Sequence, residues 1–203
     1  MIDKICNYLT AKIRSEMPEL DDERAEAINY GLQLLVGEMP KIILLCAIAF
    51  IFKIGPLVVF AYITMLPYKV VAGGFHLKTH IGCTLGTFIV YFGNVFLSKF
   101  IAMELSVKYV VIVLAEMFAI LMISIYAPAD TVNLPILREK ERKIKKILSY
   151  IFATITLLAA LIISNNVLSN ILIINVLIES VSISRLAYKL TRNEYGYEAY
   201  SNF

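Results

Sequence analysis

Long apolar runs are the feature that most constrains the fold of this chain. A helix needs about 20 apolar residues to cross a bilayer core about 30 Å thick, and six stretches of the 203 residues approach that length. Hydrophobic residues make up 59% of the sequence and charged residues 17%, against about 45–50% and about 25% in an ordinary globular domain. These values exclude a water-soluble enzyme and a disordered chain. The predicted spans cover residues 25–52, 55–71, 81–101, 107–126, 147–163 and 167–184.

The spacing of apolar residues predicts helices rather than strands. No run alternates polar and apolar residues in the way that strands of a membrane barrel do. The expected fold class is therefore all-α, a polytopic membrane bundle of about six transmembrane helices that forms one domain over residues 1–203.

The sorting of positive charge predicts the orientation of this bundle. Fifteen of the 19 Lys and Arg residues fall in alternate connections or at the span ends next to them, and such connections face the cytoplasm. We therefore expect residues 1–24, a basic loop at 128–146 and a tail at 185–203 to lie on the cytoplasmic side of a bacterial cytoplasmic membrane. The first 24 residues lack the pattern of a cleaved signal peptide.

An amphipathic helix is predicted at the N-terminus. Ile2, Ile5, Cys6, Leu9 and Ile13 follow helical spacing and form one apolar stripe. Such a helix lies either on the inner membrane surface or against the protein's own cytoplasmic face, and the sequence leaves both alternatives open.

Several polar residues fall inside the predicted spans, where they are costly and are functional candidates by default. In the first span, Glu38 and Lys41 stand three residues apart and can neutralise each other, while Gln33 either lines a site or hydrogen-bonds a neighbouring helix. These groups predict a polar interior, which is either a substrate cavity or a set of interhelical hydrogen bonds. The other submerged polar residues are Glu116, Asn170, Asn175 and Glu179.

The junction of the second and third spans carries both histidines of the chain, His76 and His80, and one of its three cysteines, Cys83. A cysteine reacts as a thiolate, which a nearby imidazole or a helix N-terminus favours. Gly73 and Gly74 are expected to end the second helix, and Thr79 is the expected N-cap of the third.

The spacing of His76 and Cys83 sets a geometric condition on any pairing between them. Within one helix the two would be separated by about 10 Å, at about 1.5 Å of rise per residue. A His76–Cys83 dyad therefore requires the chain to leave the helix between them, whereas His80 is a competing base that needs no such departure. On one helix, His76, His80 and Cys83 could instead hold zinc, but no fourth ligand is evident, so neither a metal nor another cofactor is expected.

The other two cysteines are expected to be structural. Cys46 lies in an apolar run and Cys6 on the amphipathic stripe, where a thiol is a small inert hydrophobe.

At three places the chain resembles the accessory gene regulator B (AgrB) family of Gram-positive quorum-sensing systems. The strongest is the sequence from Ala72 to His76, with Cys83 seven residues beyond the histidine. The second is the first span, with Tyr30-Gly31-Leu32-Gln33, Gly37-Glu38 and Pro40-Lys41, and the third is Tyr126-Ala127-Pro128-Ala129-Asp130-Thr131 before a basic stretch.

This resemblance implies a membrane cysteine endopeptidase. Family members cut an AgrD-like precursor peptide, remove its acidic C-terminal tail and yield a cyclic thiolactone or lactone signal. Carried over to this sequence, Cys83 is the nucleophile, His76 the general base and Gly74, with Gly73, part of a required turn. Lys69 stands where the family commonly has Arg, which keeps the charge but loses the planar fork. A homodimer is expected on family grounds.

The remaining expected contacts concern the substrate. Gln33, or an N–H at the start of the third helix, would stabilise the oxyanion. The basic stretch either binds the acidic tail of the precursor or holds its connection inside the cell, and nucleic acid is not an expected partner. A peptide transporter or exporter without proteolytic chemistry is the alternative function, and a receptor or scaffold a third. The candidate substrate contacts are Glu38, Arg138, Lys140, Arg142 and Lys143.

Overall fold

The computed structural model of the chain describes residues 2–17, 19–77, 79–132 and 135–201. Helices dominate this part of the chain, and it contains no named strand, so the all-α prediction is confirmed. The helices are α1 (Ile2–Glu16), α2 (Asp22–Ile51), α3 (Gly55–Ala72), α4 (His80–Phe100), α5 (Leu105–Tyr126), α6 (Glu139–Ile162), α7 (Asn166–Ser182), α8 (Arg185–Thr191) and α9 (Gly196–Ser201).

Four helices among the described residues are long and apolar enough to cross a membrane: α3, α4 from Ile81 onward, α5 and α6. A fifth span results if α7 and α8, which meet at a 70° bend, are counted as one. The chain is thus a multi-pass membrane protein, but the predicted count of six spans is not confirmed. Ser184 lies at this bend. Its side chain is the N-cap of α8 and accepts a hydrogen bond from Ala187 N–H.

Residues Met1–Gly55 form one compact unit. Helix α1 packs against α2, and Cys6 on its apolar stripe is fully buried. Ile5 on the same stripe is exposed. Within α2, Lys41 donates to Glu38 over 2.6 Å and is itself buried, so the predicted neutralisation of this pair is confirmed.

Residues Pro56–Phe203 form the second compact unit, with α7 at its centre. Helix α7 packs against α4, α5 and α6, and most of its side chains are buried. Its asparagines bind other helices: Asn175 donates to Ala61 O and Thr64 Oγ1, and Asn170 donates to Ser98 O. These contacts are interhelical hydrogen bonds of the kind that hold membrane bundles together.

The basic segment after α5 is helical for most of its length. Helix α6 begins at Glu139, so the positive charges at 140–146 form its first two turns rather than a loop. Glu139 pairs with Lys143 and Glu141 with Lys145 at i, i+4 spacing, which supports this helix start.

Candidate active site

The junction between α3 and α4 depends on two glycines. Helix α3 ends at Ala72, and Gly73 and Gly74 have φ angles of +84° and +128°. A Cβ on Gly73 would lie 2.1 Å from Ala129 O, and one on Gly74 would lie 2.7 Å from Ser182 Oγ. Both the positive φ and the close approach therefore require glycine at these positions.

The glycine pair is fastened to the segment that follows α5. Ala129 N–H donates to Ala72 O over 2.7 Å, and Gly74 N–H donates to Ala129 O over 2.9 Å. The buried Tyr188 hydroxyl donates to the same Ala129 carbonyl over 2.8 Å. Two of the three stretches that carry the family resemblance, 72–76 and 126–131, therefore meet in the structure.

Cys83 lies in the first turn of α4. Thr79 is the N-cap: its hydroxyl accepts from Gly82 N–H over 3.0 Å, and its carbonyl accepts from Cys83 N–H over 2.9 Å. The Cys83 side chain is partly exposed, whereas that of Cys6 is fully buried. The predicted cap and the position of Cys83 near a helix N-terminus are confirmed.

His76 lies in the non-helical segment that follows the glycine pair, and its side chain is exposed. Its carbonyl accepts a hydrogen bond of 2.8 Å from Asn193 Nδ2. Since α4 starts only at His80, the chain leaves the helix between His76 and Cys83, as the predicted dyad requires. His76 therefore does not share a helical face with Cys83, as the alternative zinc site would need. The side chain of His80 and the whole of Lys78 lie outside the described residues.

An ion pair between a partly exposed lysine and a buried glutamate lies next to the turn formed by Gly73 and Gly74. Lys69, in the last turn of α3, lies 3.3 Å from Oε2 of Glu179 on α7, and the Glu179 side chain is fully buried. The second oxygen, Oε1, has no hydrogen-bond partner among the described residues and lies 3.4 Å from the point where a Cβ on Gly74 would stand. Lys69 therefore pairs with a carboxylate that lies next to Gly74.

Arg142 is held inside the protein rather than offered to solvent. Its guanidinium lies 3.3 Å from Asp130 Oδ1, donates to Pro128 O over 3.3 Å, and stacks over the Tyr197 ring at 4.2 Å from its centroid. Asp130 Oδ2 in turn accepts from Ile136 N–H over 2.8 Å. Arg142 thus connects the start of α6 to residues 128–130, the segment that is hydrogen-bonded to Ala72 and Gly74.

The other predicted substrate contacts are spread over both units. Arg138 is the N-cap residue of α6 and is exposed, Lys140 is also exposed, and Lys143 pairs with Glu139. Glu38 lies in the N-terminal unit, paired with Lys41. Gln33 belongs to α2, but its side chain lies outside the described part of the chain.

Other contacts at this site were not foreseen. Glu179 stands out in the sequence as a submerged carboxylate, yet nothing in the sequence identifies Lys69 as its partner 110 residues away. No sequence pattern marks Asn193 or Tyr195 as a site residue, because both lie in a short polar tail. Burial raises the pKa of the Tyr195 hydroxyl above its usual value, so this group stays neutral and donates to Ile183 O over 2.7 Å.

Comparisons with known proteins support the resemblance seen in the sequence. The model of the accessory gene regulator B (AgrB) family matches residues 2–183. An AgrB-like protein of Clostridium perfringens (strain SM101) is 30% identical over 146 residues, which cover 70% of this chain and 68% of the relative.

An AgrB-like protein of Listeria monocytogenes (strain HCC23) is 27% identical over 181 residues, 89% of this chain and 87% of the relative. No solved structure matches the chain. The chain belongs to the accessory gene regulator B family.

Proposed function

We propose that this protein is a membrane cysteine endopeptidase that cuts the C-terminal tail from a small AgrD-like precursor peptide and releases the remainder as a cyclic signal for quorum sensing. The observation that carries the proposal is the junction of α3 and α4. A partly exposed Cys83 lies in the first turn of a capped helix, and an exposed His76 lies on the segment before it. Family membership supplies the class of substrate.

In the proposed first step, the His76 imidazole accepts the Cys83 proton, and the thiolate attacks the carbonyl carbon at the cleavage point. A C–S bond forms, the C–N bond breaks, and the imidazolium returns its proton to the leaving amine. The product is a thioester between Cys83 and the N-terminal part of the peptide, which keeps the acyl group activated.

In the second step, a thiol or hydroxyl inside the bound peptide attacks this thioester. The His76 imidazole accepts the proton of this nucleophile, the ring closes as a thiolactone or lactone, the C–S bond to Cys83 breaks, and the Cys83 sulfur takes the proton back from the imidazolium. Water must be excluded for this outcome, because hydrolysis would give a linear acid.

The start of α4 offers oxyanion donors for both steps. The Gly82 and Cys83 amides are bonded to Thr79, so the candidate donors are the N–H groups of His80 and Ile81, which precede the first bond within the helix. Gln33 remains the alternative donor from the sequence.

The glycine pair and Lys69 have supporting roles in this proposal. Gly73 and Gly74 provide the turn that carries His76, and Lys69 balances Glu179 behind it. We further propose a bacterial cytoplasmic membrane location with both termini and the active site on the cytoplasmic side, and a homodimer. Glu38, Arg138, Lys140 and Lys143 stay proposed substrate contacts, whereas Arg142 supports the fold through Asp130 and is not proposed to touch the substrate.

The test uses the full-length protein in liposomes and an AgrD-like precursor. We expect cleavage to persist in Cys46→Ala and to fall to background in Cys83→Ala and His76→Ala, while His80→Ala retains activity. Cleavage that is unchanged in Cys83→Ala would disprove the proposal. Uptake of the intact peptide without cleavage would favour the transporter instead.

A further inference from the structure

Two adjoining cavities of about 270 and 490 Å³ share Arg185, Tyr195 and Glu198 and together form one groove, here called the C-terminal groove. We propose that the C-terminal groove binds an acidic peptide segment through Arg185, and that Glu198 of the same chain occupies this arginine until the peptide displaces it. The inference rests on the proposed function only for the identity of the peptide, which would then be the acidic tail of the precursor.

The smaller cavity has the chemistry of a carboxylate site. Two guanidinium groups, Arg142 and Arg185, face it, and Tyr126, Tyr195 and Tyr197 form its walls. Guanidinium groups bind carboxylates through paired hydrogen bonds and stack on aromatic rings. The cavity is therefore suited to a short acidic segment rather than to an apolar ligand.

The two arginines differ in what already binds them. Arg142 is 22% exposed at its side chain and is held by the buried Asp130 and by backbone carbonyls. Arg185 is 66% exposed, and its ion-pair partner, Glu198, is itself 57% exposed. Arg142 therefore belongs to the wall of the groove, and Arg185 is the group that can exchange one carboxylate for another.

In this structure Arg185 already binds a carboxylate, that of Glu198. Its Oε1 accepts from Arg185 Nη2, and its side chain lines both cavities. An exposed ion pair of this kind contributes little to stability, so a peptide with several carboxylates can compete with it. Glu198 thus acts as an internal competitor for the groove.

The larger cavity leads from this arginine toward the proposed active site. Its charged lining comprises Lys189 and Glu194 besides Arg185 and Glu198, and it is also lined by Asn193, whose side chain donates to the His76 carbonyl over 2.8 Å. A peptide whose scissile bond lies near His76 could thus continue along Asn193 and Tyr195 and place the acidic residues that follow it on Arg185.

The test measures binding without cleavage. Full-length protein in phosphatidylcholine nanodiscs is titrated against fluorescein-labelled hexaglutamate, with hexaglutamine as the uncharged probe, and fluorescence anisotropy is read. We expect Arg185→Gln to weaken hexaglutamate binding by about fivefold or more and Glu198→Gln to tighten it by about threefold. Arg192→Gln is the matched control, because Arg192 lies in the same tail but lines neither cavity.

A charge exchange separates binding from structure. Arg185→Glu with Glu198→Arg restores an ion pair within the chain but leaves a carboxylate at position 185. We expect Arg185→Gln and this double variant to unfold at the same temperature as the unaltered protein, so that weaker binding by Arg185→Gln reports on the groove and not on folding.

Four results would overturn the inference. They are equal effects of Arg185→Gln and Arg192→Gln, no tightening in Glu198→Gln, equal binding of hexaglutamine, or a loss of binding confined to Lys140→Gln and Lys143→Gln. The readout does not depend on Cys83, so a failure of the proposed peptidase activity would be seen separately, in the cleavage assay.

Discussion

Gly73 is the residue whose chemistry the structure constrains most closely. Its φ of +84° is costly for any residue with a Cβ, and the Cβ itself would lie 2.1 Å from a backbone oxygen that cannot rotate away. The same carbonyl also accepts from Tyr188 and from Gly74 N–H. Substitution here therefore disturbs the turn that carries His76 rather than one side chain.

We expect Gly73→Ala to lower the unfolding temperature and to abolish precursor cleavage, because the clash separates residues 72–76 from Ala129. The matched control is Gly93→Ala in α4, where a Cβ would meet nothing within 4 Å and where Ala favours the helix by about 0.5–1 kcal/mol. Thermal unfolding in detergent and cleavage in liposomes check both variants. Equal stability and activity of the two would contradict this account of the turn.

The Lys69–Glu179 pair gives a second prediction at this scale. Lys69→Gln leaves the fully buried Glu179 carboxylate without its cation, and we expect a loss of about 1–3 kcal/mol in the free energy of unfolding. Lys69→Arg should keep most of the stability, and Glu179→Gln added to Lys69→Gln should recover part of the loss. Unfolding in sodium dodecyl sulfate, followed by circular dichroism, measures the three variants. A double variant that is no more stable than Lys69→Gln alone would contradict the coupling of the two side chains.

Among the elements, α7 organises the C-terminal unit. It packs against α4, α5 and α6, and its asparagines satisfy backbone carbonyls and side chains of other helices. A central helix with a polar face can serve either to join helices or to line a cavity, and only these hydrogen-bond partners distinguish the two roles. The partners favour joining.

We therefore expect Asn175→Ala to destabilise the protein by about 1–3 kcal/mol, because it removes bonds to Ala61 O and Thr64 and leaves Asn94 without its partner amide. Asn166→Ala, at the exposed start of the same helix, should change stability by less than about 0.5 kcal/mol. Unfolding in detergent measures both. If Asn175→Ala instead raised KM without any loss of stability, α7 would line a substrate cavity.

Local sequence signals predicted those elements whose limits depend on neighbouring residues. The glycine pair marks the end of α3, Thr79 marks the start of α4, and the length of the apolar runs marks the helices long enough to span a membrane. The start of α6 was missed because its charges were interpreted as a loop, although Glu139 and Glu141 stand four residues before Lys143 and Lys145, as in a helix. The Lys69–Glu179 and Asn193–His76 contacts join residues more than 100 positions apart, and no local pattern reports such pairing.

At the scale of the whole molecule, the few charges are sorted between alternate connections, and this sorting predicts the side on which the proposed chemistry takes place. With Cys6 and Cys46 replaced by Ala, a membrane-impermeant maleimide should label Cys83 in inverted membrane vesicles and not in intact cells. Labelling of intact cells alone would place the α3–α4 junction on the outer side and contradict the charge argument.

A covalent intermediate on Cys83 is the central claim. The direct measurement is the intact mass of the full-length protein after brief incubation with a precursor whose internal nucleophile is replaced by Ala, so that the ring cannot close. The account predicts a mass increase equal to the N-terminal fragment, located on Cys83, released by neutral hydroxylamine and absent in Cys83→Ala. Cleaved peptide with no adduct, or an adduct on another residue, would contradict it.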